Sequence, residues 1–206
     1  MCFSAEASFV ASAGLAVVGV ASLRCADEPS DRMVAAIPIA FAAHQFVEGI
    51  VWSTTPGEDS HLVAARLFAF LAYSVWPIYV PLAFLSYERE AARKKWLLGL
   101  VALGASAGVY FLYLMIDDPV EPVVLCGSLQ YRFRNPQVYM SHIVYGIPVM
   151  LAPVLSRDRV FKAFGAGLLV SYLIAYYAWF RTHPSVWCYF AALLSGSIYL
   201  HFRLRR

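Results

Sequence analysis

The chain has 206 residues, of which 61% are hydrophobic and 14% are charged, and its formal net charge is +3. Soluble domains are about 45–50% apolar and about 25% charged, so this composition excludes a soluble globular enzyme and a disordered chain. The small net charge excludes a nucleic-acid binder, because 16 basic and 13 acidic residues leave no strongly basic face. A multi-pass membrane protein remains, and its expected partner is the lipid bilayer.

Seven apolar runs are each close to the roughly 20 residues that a helix needs to cross a bilayer. They predict transmembrane helices at about 6–23, 33–54, 62–86, 96–116, 138–155, 160–180 and 185–202. Proline, glycine and acidic residues fill most of the gaps between these runs, as is typical of turns. The sequence therefore predicts an all-α fold, in which residues 1–206 form one domain, a seven-transmembrane-helix bundle.

Small residues and prolines inside the runs predict how the helices pack. Gly104 and Gly108 frame a patch of small side chains in the fourth run, a pattern that lets two helices approach closely. Membrane helices tolerate internal prolines, because neighbouring groups can satisfy the carbonyls that a proline leaves free. Kinks are therefore expected at Pro38, Pro77, Pro81, Pro148 and Pro153.

The distribution of lysine and arginine predicts the orientation of the bundle. Twelve of them lie in the gaps after the first, third and fifth runs and in the C-terminal tail, whereas three lie on the other side. Basic loops stay in the cytoplasm, so the N-terminus is expected outside and the C-terminus in the cytoplasm. No basic segment or cleavage site precedes the first run, so we expect that helix to act as its own signal.

Two opposite charges are predicted inside the outer half of the bundle. Glu48 lies about 9 Å below the outer end of the second helix, and Arg66 lies about 6 Å below the same surface on the third. A short turn joins these helices, and charges within a membrane are usually paired, so we expect an ion pair. The pair either locks the two helices together or handles a ligand or a proton.

Other polar and aromatic side chains are predicted in the same half. His44 and Trp52 lie one turn on either side of Glu48 and share its helix face. His142 lies near the outer end of the fifth helix, and Trp187 and Cys188 lie at the start of the seventh. Together they predict an outward-facing polar pocket for a small ligand. Its expected ligand-binding residues are Glu48, Arg66, His44, His142, Trp52, Trp187, Cys188 and Tyr176.

Three cysteines are expected on the outer side, where disulfides can form. Apolar and polar residues alternate in part over residues 123–133, on either side of a Gly-Ser pair. This pattern predicts a hairpin that covers the bundle as a lid. A disulfide from Cys126 to Cys2 or to Cys188 would fix this lid. Free thiols and a metal site that uses the thiols remain as alternatives.

The residues also restrict the possible cofactors. A metal ion is possible, with Cys2, Cys188, His142 and Glu48 as weak candidate ligands, but their spacing fits no standard zinc or haem motif. Haem bound by two histidines is disfavoured, because His44 and His142 lie about 15 Å and about 6 Å deep. Retinal is excluded, because a Schiff base needs a lysine within the membrane. The lysines, all in predicted cytoplasmic loops, are Lys94, Lys95 and Lys162.

Three segments carry a resemblance to a known family. They are the N-terminal MCFSA-x-ASF, the helix-2 stretch from Gln45 to Trp52, and SVWC-x-FAA in the seventh helix. Together they resemble a bacterial family of small multi-helix membrane proteins of unknown function, over essentially the whole chain. The resemblance implies a multi-pass protein of the bacterial inner membrane and implies no activity.

Three functions remain open from the sequence. The first is a receptor, sensor or carrier that binds a small ligand or a metal ion. The second is an intramembrane enzyme that acts on lipid, with Cys2, Cys188 or His142 as catalytic groups. The third is a structural subunit whose polar side chains only hold the helices together.

Overall fold

The computed structural model describes residues 4–117, 120–133 and 142–205. Within these ranges the chain forms seven helices and one two-stranded hairpin, so the predicted all-α fold is confirmed in its main features. The helices are α1 (Ala5–Cys25), α2 (Pro29–Ser53), α3 (Asp59–Tyr87), α4 (Ala91–Asp117), α5 (His142–Val154), α6 (Arg159–Ala178) and α7 (His183–Leu204). The strands are β1 (Glu121–Leu125) and β2 (Ser128–Arg132).

Six helices, all except α5, are long and apolar enough to cross a membrane. The apolar part of α5, Val144–Val154, is shorter, and the start predicted at residue 138 lies outside the described residues. The largest difference from the predicted helix ends is at α4, which begins at Ala91 rather than at Trp96. Its first turn is rich in alanine, arginine and lysine, which are polar or small but are strong helix formers.

Two of the prolines at which kinks are predicted lie just after interruptions in the helices. The α2 helix has a turn at Ala36, just before Pro38, and α3 contains a six-residue π-helical segment, Phe70–Val75, just before Pro77. In this π segment the Trp76 N–H bonds to the carbonyl of Leu71, five residues earlier. Proline lacks an N–H and clashes with the carbonyl four residues earlier, so the preceding turn rearranges.

Glycines allow close contact between neighbouring helices. A Cβ atom added at Gly104 of α4 would lie 1.8 Å from the carbonyl oxygen of Pro77 in α3. One added at Gly108 would lie 2.6 Å from the carbonyl oxygen of Ser74 in the π segment. Gly19 of α1 similarly faces the backbone of Ile39 in α2. The predicted close approach at Gly104 and Gly108 is therefore confirmed, with α3 as the partner.

The hairpin connects α4 to the segment before α5 and covers one end of the bundle, which we call the hairpin end. Its turn consists of Cys126 and Gly127, whose φ angles of 50° and 74° are both positive, as in the two-residue turns that match strand twist. The strands contact α7 and the start of α3. Leu129 and Tyr131 of β2 are buried against the helices. The predicted hairpin lid is confirmed as a hairpin, although its turn lies one residue earlier.

Ion pairs connect the chain segments at the opposite end of the bundle. Arg89 pairs with Glu28, which lowers the pKa of that exposed carboxyl group below its ordinary value. Arg157 pairs with Glu90 at 2.5 Å, and Arg205 lies 3.4 Å from Asp31. These contacts join the loops that follow α1, α3 and α5 to one another, and they join the first turn of α2 to the C-terminal tail. They surround a pocket of about 260 Å³.

Candidate functional site

Glu48 is the centre of a group of buried polar side chains at the hairpin end. Its side chain is fully buried in α2, and the Ser185 hydroxyl of α7 donates a hydrogen bond of 2.5 Å to its Oε1. The other oxygen, Oε2, is buried with no hydrogen-bond partner among the described residues. Burying a carboxyl group costs free energy unless it is fully hydrogen-bonded or paired, so this arrangement needs a functional or structural reason.

Gln45 lies one turn before Glu48 and is also fully buried. Its amide is close to the Glu48 carboxyl group. Neither the amide nitrogen nor the amide oxygen makes a hydrogen bond of normal geometry within the described part of the chain. Gln45 therefore interacts at most weakly with Glu48 and keeps hydrogen-bonding capacity for a further group.

His44 contributes a donor whose position follows from its partner. The Trp76 indole N–H donates to His44 Nδ1 at 2.8 Å, and an indole nitrogen can only donate. The imidazole is therefore neutral, with its proton on Nε2. This Nε2–H is buried and lacks a partner among the residues that the structure describes. The His44 ring also packs 4.4 Å from the ring of Phe68.

Tyr131 brings the hairpin into contact with these side chains. Its ring stacks on Phe68 with 4.2 Å between ring centroids, and its hydroxyl is buried without a described partner. Burial raises the pKa of Tyr131 well above its ordinary value, and the nearby Glu48 carboxylate raises it further. The phenol is therefore a protonated donor close to Glu48. We call His44, Gln45, Glu48, Tyr131 and Ser185 the buried polar cluster.

Arg66 does not belong to this cluster, and the predicted ion pair with Glu48 is wrong. The described ion pairs do not include these two residues. Ala65 and Phe68 form the buried face of α3, whereas Arg66 is exposed. Successive helical residues differ by about 100° in direction. Arg66 therefore points away from the core.

The aromatic residues that were predicted to bind the ligand lie at the edge of the buried polar cluster or outside it. Trp52 is one turn beyond Glu48 on α2, and its indole nitrogen is buried without a described partner. Trp187 is buried, but its indole N–H already donates to the carbonyl oxygen of Leu168 at 3.0 Å. Tyr176 is half-buried and packs against Tyr172 instead. Trp52 is thus the one of these three whose polar group is buried without a described partner.

The predicted disulfide between Cys126 and Cys188 is wrong. Both thiols are free, because Cys126 is exposed at the turn of the hairpin while Cys188 is buried inside the bundle. The alternative partner, Cys2, lies outside the described residues. Cys188 lies against Phe41, Trp76 and Tyr145 around a void of only about 10 Å³, which is too small for a substrate. Such an apolar environment also disfavours the reactive thiolate, so Cys188 is a poor nucleophile.

The two thiols are expected to react very differently with maleimide in the folded protein. Cys126 should be modified at once, whereas Cys188 should react only after denaturation, because it is buried. Peptide mass spectrometry before and after denaturation measures both sites in one sample. A peptide in which Cys126 is disulfide-bonded to Cys188, or equal modification rates, would contradict this expectation.

A metal site formed by three His, Cys, Asp or Glu side chains is absent from the described part of the structure. Cys188 and Glu48 lie close enough to interact electrostatically, so two of the predicted ligands are neighbours. The other two, Cys2 and the side chain of His142, lie outside the described residues. The structure therefore brings together two of the four candidate metal ligands, and these two do not form a complete coordination sphere.

Comparison with protein families places the chain among known sequences. A model of the family of unknown function DUF6629 matches residues 1–206. The chain belongs to this family. Comparison with curated proteins and with solved structures found no match for this DUF6629 member.

Sequence reasoning found Glu48 and His44 but did not include Tyr131, Gln45 or Ser185 among the site residues. Gln45 and Ser185 both lie in the motifs that carried the family resemblance. Membership in these motifs is the sequence feature that could have identified them as site residues. Tyr131 is placed by the docking of the hairpin, which no local pattern defines. The alternation of Leu129 and Tyr131 on one face of β2, continued by Phe133 directly after the strand, is the feature that indicates a buried strand face.

The pocket at the opposite end is a weaker candidate in this DUF6629 chain. Tyr87 donates a hydrogen bond of 2.7 Å to Asp158, and Arg205 lies 3.4 Å from Asp31. Acidic and basic groups in its lining are thus largely paired with one another. Its charges already have protein partners, whereas the buried polar cluster holds several groups that have none.

Proposed function

We propose that this chain is a multi-pass membrane protein that binds a small polar molecule at the buried polar cluster, beneath the hairpin. One observation carries the proposal: five buried atoms of four neighbouring residues make no hydrogen bond of normal geometry in the described structure. They are His44 Nε2, Gln45 Nε2, Gln45 Oε1, Glu48 Oε2 and Tyr131 Oη. Buried polar groups in proteins are nearly always hydrogen-bonded, so their concentration at one point favours a binding site.

The membrane location is supported by the six long apolar helices and by the charge asymmetry of the loops. Most lysines and arginines fall in the segments at the end opposite the hairpin, which favours a cytoplasmic location for that end. The buried polar cluster then lies in the outer half of the bundle. A place in the bacterial inner membrane is consistent with this orientation and with the family resemblance.

The chemistry of the cluster restricts the ligand. His44 Nε2–H and the Tyr131 hydroxyl offer donors, Glu48 Oε2 offers an acceptor, and the Gln45 amide offers both. No arginine or lysine belongs to the buried polar cluster, which disfavours a free carboxylate or phosphate as ligand. A neutral or singly cationic molecule fits best, with a hydroxyl or amine facing Glu48 and an acceptor facing His44.

The hairpin is the element most suited to open and close this site. A two-stranded hairpin has little stability of its own, so it depends on its contacts with the helices. Tyr131 contributes both a stacked ring and a polar group that faces the cluster. A small movement of β2 would therefore expose the polar groups and remove one donor from the site.

A purely structural role is the second candidate, because the hydrogen bond between Ser185 and Glu48 joins α2 to α7. The two proposals differ in what they predict for the unpartnered atoms. A structural protein gains stability when an unpartnered buried group is removed, because its desolvation is no longer uncompensated. A binding protein loses its ligand when the same group is removed.

Thermal unfolding of the detergent-purified protein tests the proposal with ethanolamine, glycerol and acetate as probes. We expect ethanolamine or glycerol, but not acetate, to raise Tm. Glu48→Gln and Tyr131→Phe should abolish the increase, because each changes a group that faces the ligand. Tyr113→Phe is the matched control, since Tyr113 is exposed on α4. If no probe raises Tm and Tyr131→Phe is more stable than the native chain, the structural role is correct.

A further inference from the structure

A second feature of the bundle lies on the outer surface of α1, far from the buried polar cluster. A groove of about 550 Å³ runs between α1 and the last turns of α7. Its wall consists of Ala16, Val17, Val20 and Ala21, and two of these side chains, Val17 and Val20, are exposed. At its end lie Arg24, Cys25 and Tyr199.

The shape of the groove matches one leaflet of a bilayer. From Ala16 to Arg24 the helix rises about 12 Å. One leaflet contributes about half of the 30 Å hydrocarbon thickness, or roughly 15 Å. With the orientation proposed above, Arg24 lies at the cytoplasmic surface and Ala16 near the middle of the membrane. The small alanine side chains form a shallow channel along this path.

The charge at the end of the groove is basic. The residues that line it include Arg24 and no carboxylate. Arg203, one turn beyond Tyr199 on α7, adds a second guanidinium group, which hydrogen-bonds the Tyr199 hydroxyl at 3.3 Å and lies over its ring.

We propose that this groove binds an anionic phospholipid of the cytoplasmic leaflet. One acyl chain lies along Val17, Val20 and Ala21, and the phosphate group contacts Arg24 and Arg203. The negative charge of the cytoplasmic leaflet attracts basic groups at the membrane surface, which supplies the complementary ligand. Apolar contact alone would not distinguish one phospholipid from another, so Arg24 determines the selectivity.

Cys25 provides a direct measurement, because it is a free, partly buried thiol in the groove. The full chain is placed in nanodiscs of phosphatidylcholine, with or without phosphatidylglycerol, and maleimide modification is followed by peptide mass spectrometry. We expect phosphatidylglycerol to slow modification of Cys25 several-fold. Cys126, exposed at the hairpin end, should react at the same rate in both lipids.

Two variants separate lipid binding from general surface charge. Arg24→Gln should remove the difference between the two lipids at Cys25, and native mass spectrometry should show fewer retained phosphatidylglycerol molecules. Arg157→Gln, at the same end but outside the groove, should keep the difference. Equal Cys25 rates in both lipids would overturn the proposal. So would slowing that persists in Arg24→Gln, or slowing that depends on the number of chains per disc, which would indicate a second copy.

The inference rests on the proposed membrane location and is independent of the ligand at the buried polar cluster. A chain that does not enter nanodiscs contradicts the membrane location itself. A chain that enters them but reacts equally in both lipids contradicts the lipid groove alone. The two failures are therefore distinguishable in one set of samples.

Discussion

Gly104→Ala is expected to destabilise the protein by about 3 kcal/mol or more, at the upper end of the usual cost of overpacking. The new Cβ would lie 1.8 Å from the carbonyl oxygen of Pro77 and 2.7 Å from its carbonyl carbon. Both are backbone atoms, so no side-chain rotation can relieve the clash, and α4 must move away from α3. Thermal or denaturant unfolding of the purified protein measures the loss.

Gly99→Ala is the matched control on the same helix. No atom lies within 4 Å of a Cβ built at Gly99. Alanine is favoured over glycine in a helix by up to about 1 kcal/mol, so this variant should be neutral or slightly more stable. Equal destabilisation by the two substitutions would show that α3 and α4 do not pack as described.

Ser185→Ala is expected to cost about 2 kcal/mol of stability, because the buried Glu48 carboxyl group then loses the short hydrogen bond from the Ser185 hydroxyl. Both of its oxygens would be buried without a described hydrogen-bond partner. The coupling between the two residues is measured by unfolding three variants: Ser185→Ala, Glu48→Gln and the two substitutions combined. The combined variant should lose less stability than the sum of the single variants.

Ser8→Ala is the control for this substitution. Ser8 is equally buried, but its hydroxyl has no hydrogen-bond partner among the described residues. Removing it should leave stability unchanged or raise it slightly, since no hydrogen bond is lost. If Ser8→Ala and Ser185→Ala behave alike, the contact between Ser185 and Glu48 contributes nothing to stability.

The sequence was sufficient to predict the helices and the hairpin, because the length of an apolar run and the alternation of a strand are local properties. Seven runs became seven helices, and Cys126 and Gly127 form the turn of the predicted hairpin. The ends were less accurate, as at Ala91, where charged helix formers extend α4 beyond its apolar part. The interruption before Pro77 was predicted as a kink, whereas its π-helical form depends on packing.

The candidate site was predicted in part, and each error has a physical reason. Glu48 and His44 share a face of one helix, which spacing alone shows. Arg66 was predicted to face Glu48 but is exposed on α3, because depth along a helix does not define rotation about its axis. Tyr131 and Cys188 came together through the docking of β2 and α7, which are distant in sequence.

The π segment in α3 has a consequence for the surroundings of His44. In a regular helix Phe68 and Trp76, eight residues apart, would point about 80° away from each other. The wider π turn accommodates one additional residue and so removes about 100° of rotation, which leaves the two side chains about 20° apart. Both can then reach the same imidazole, Phe68 by ring contact and Trp76 by its N–H. The π turn thus brings both rings to one imidazole across an eight-residue spacing, and winding the same residues as an ordinary α-helix, with none deleted, would separate them.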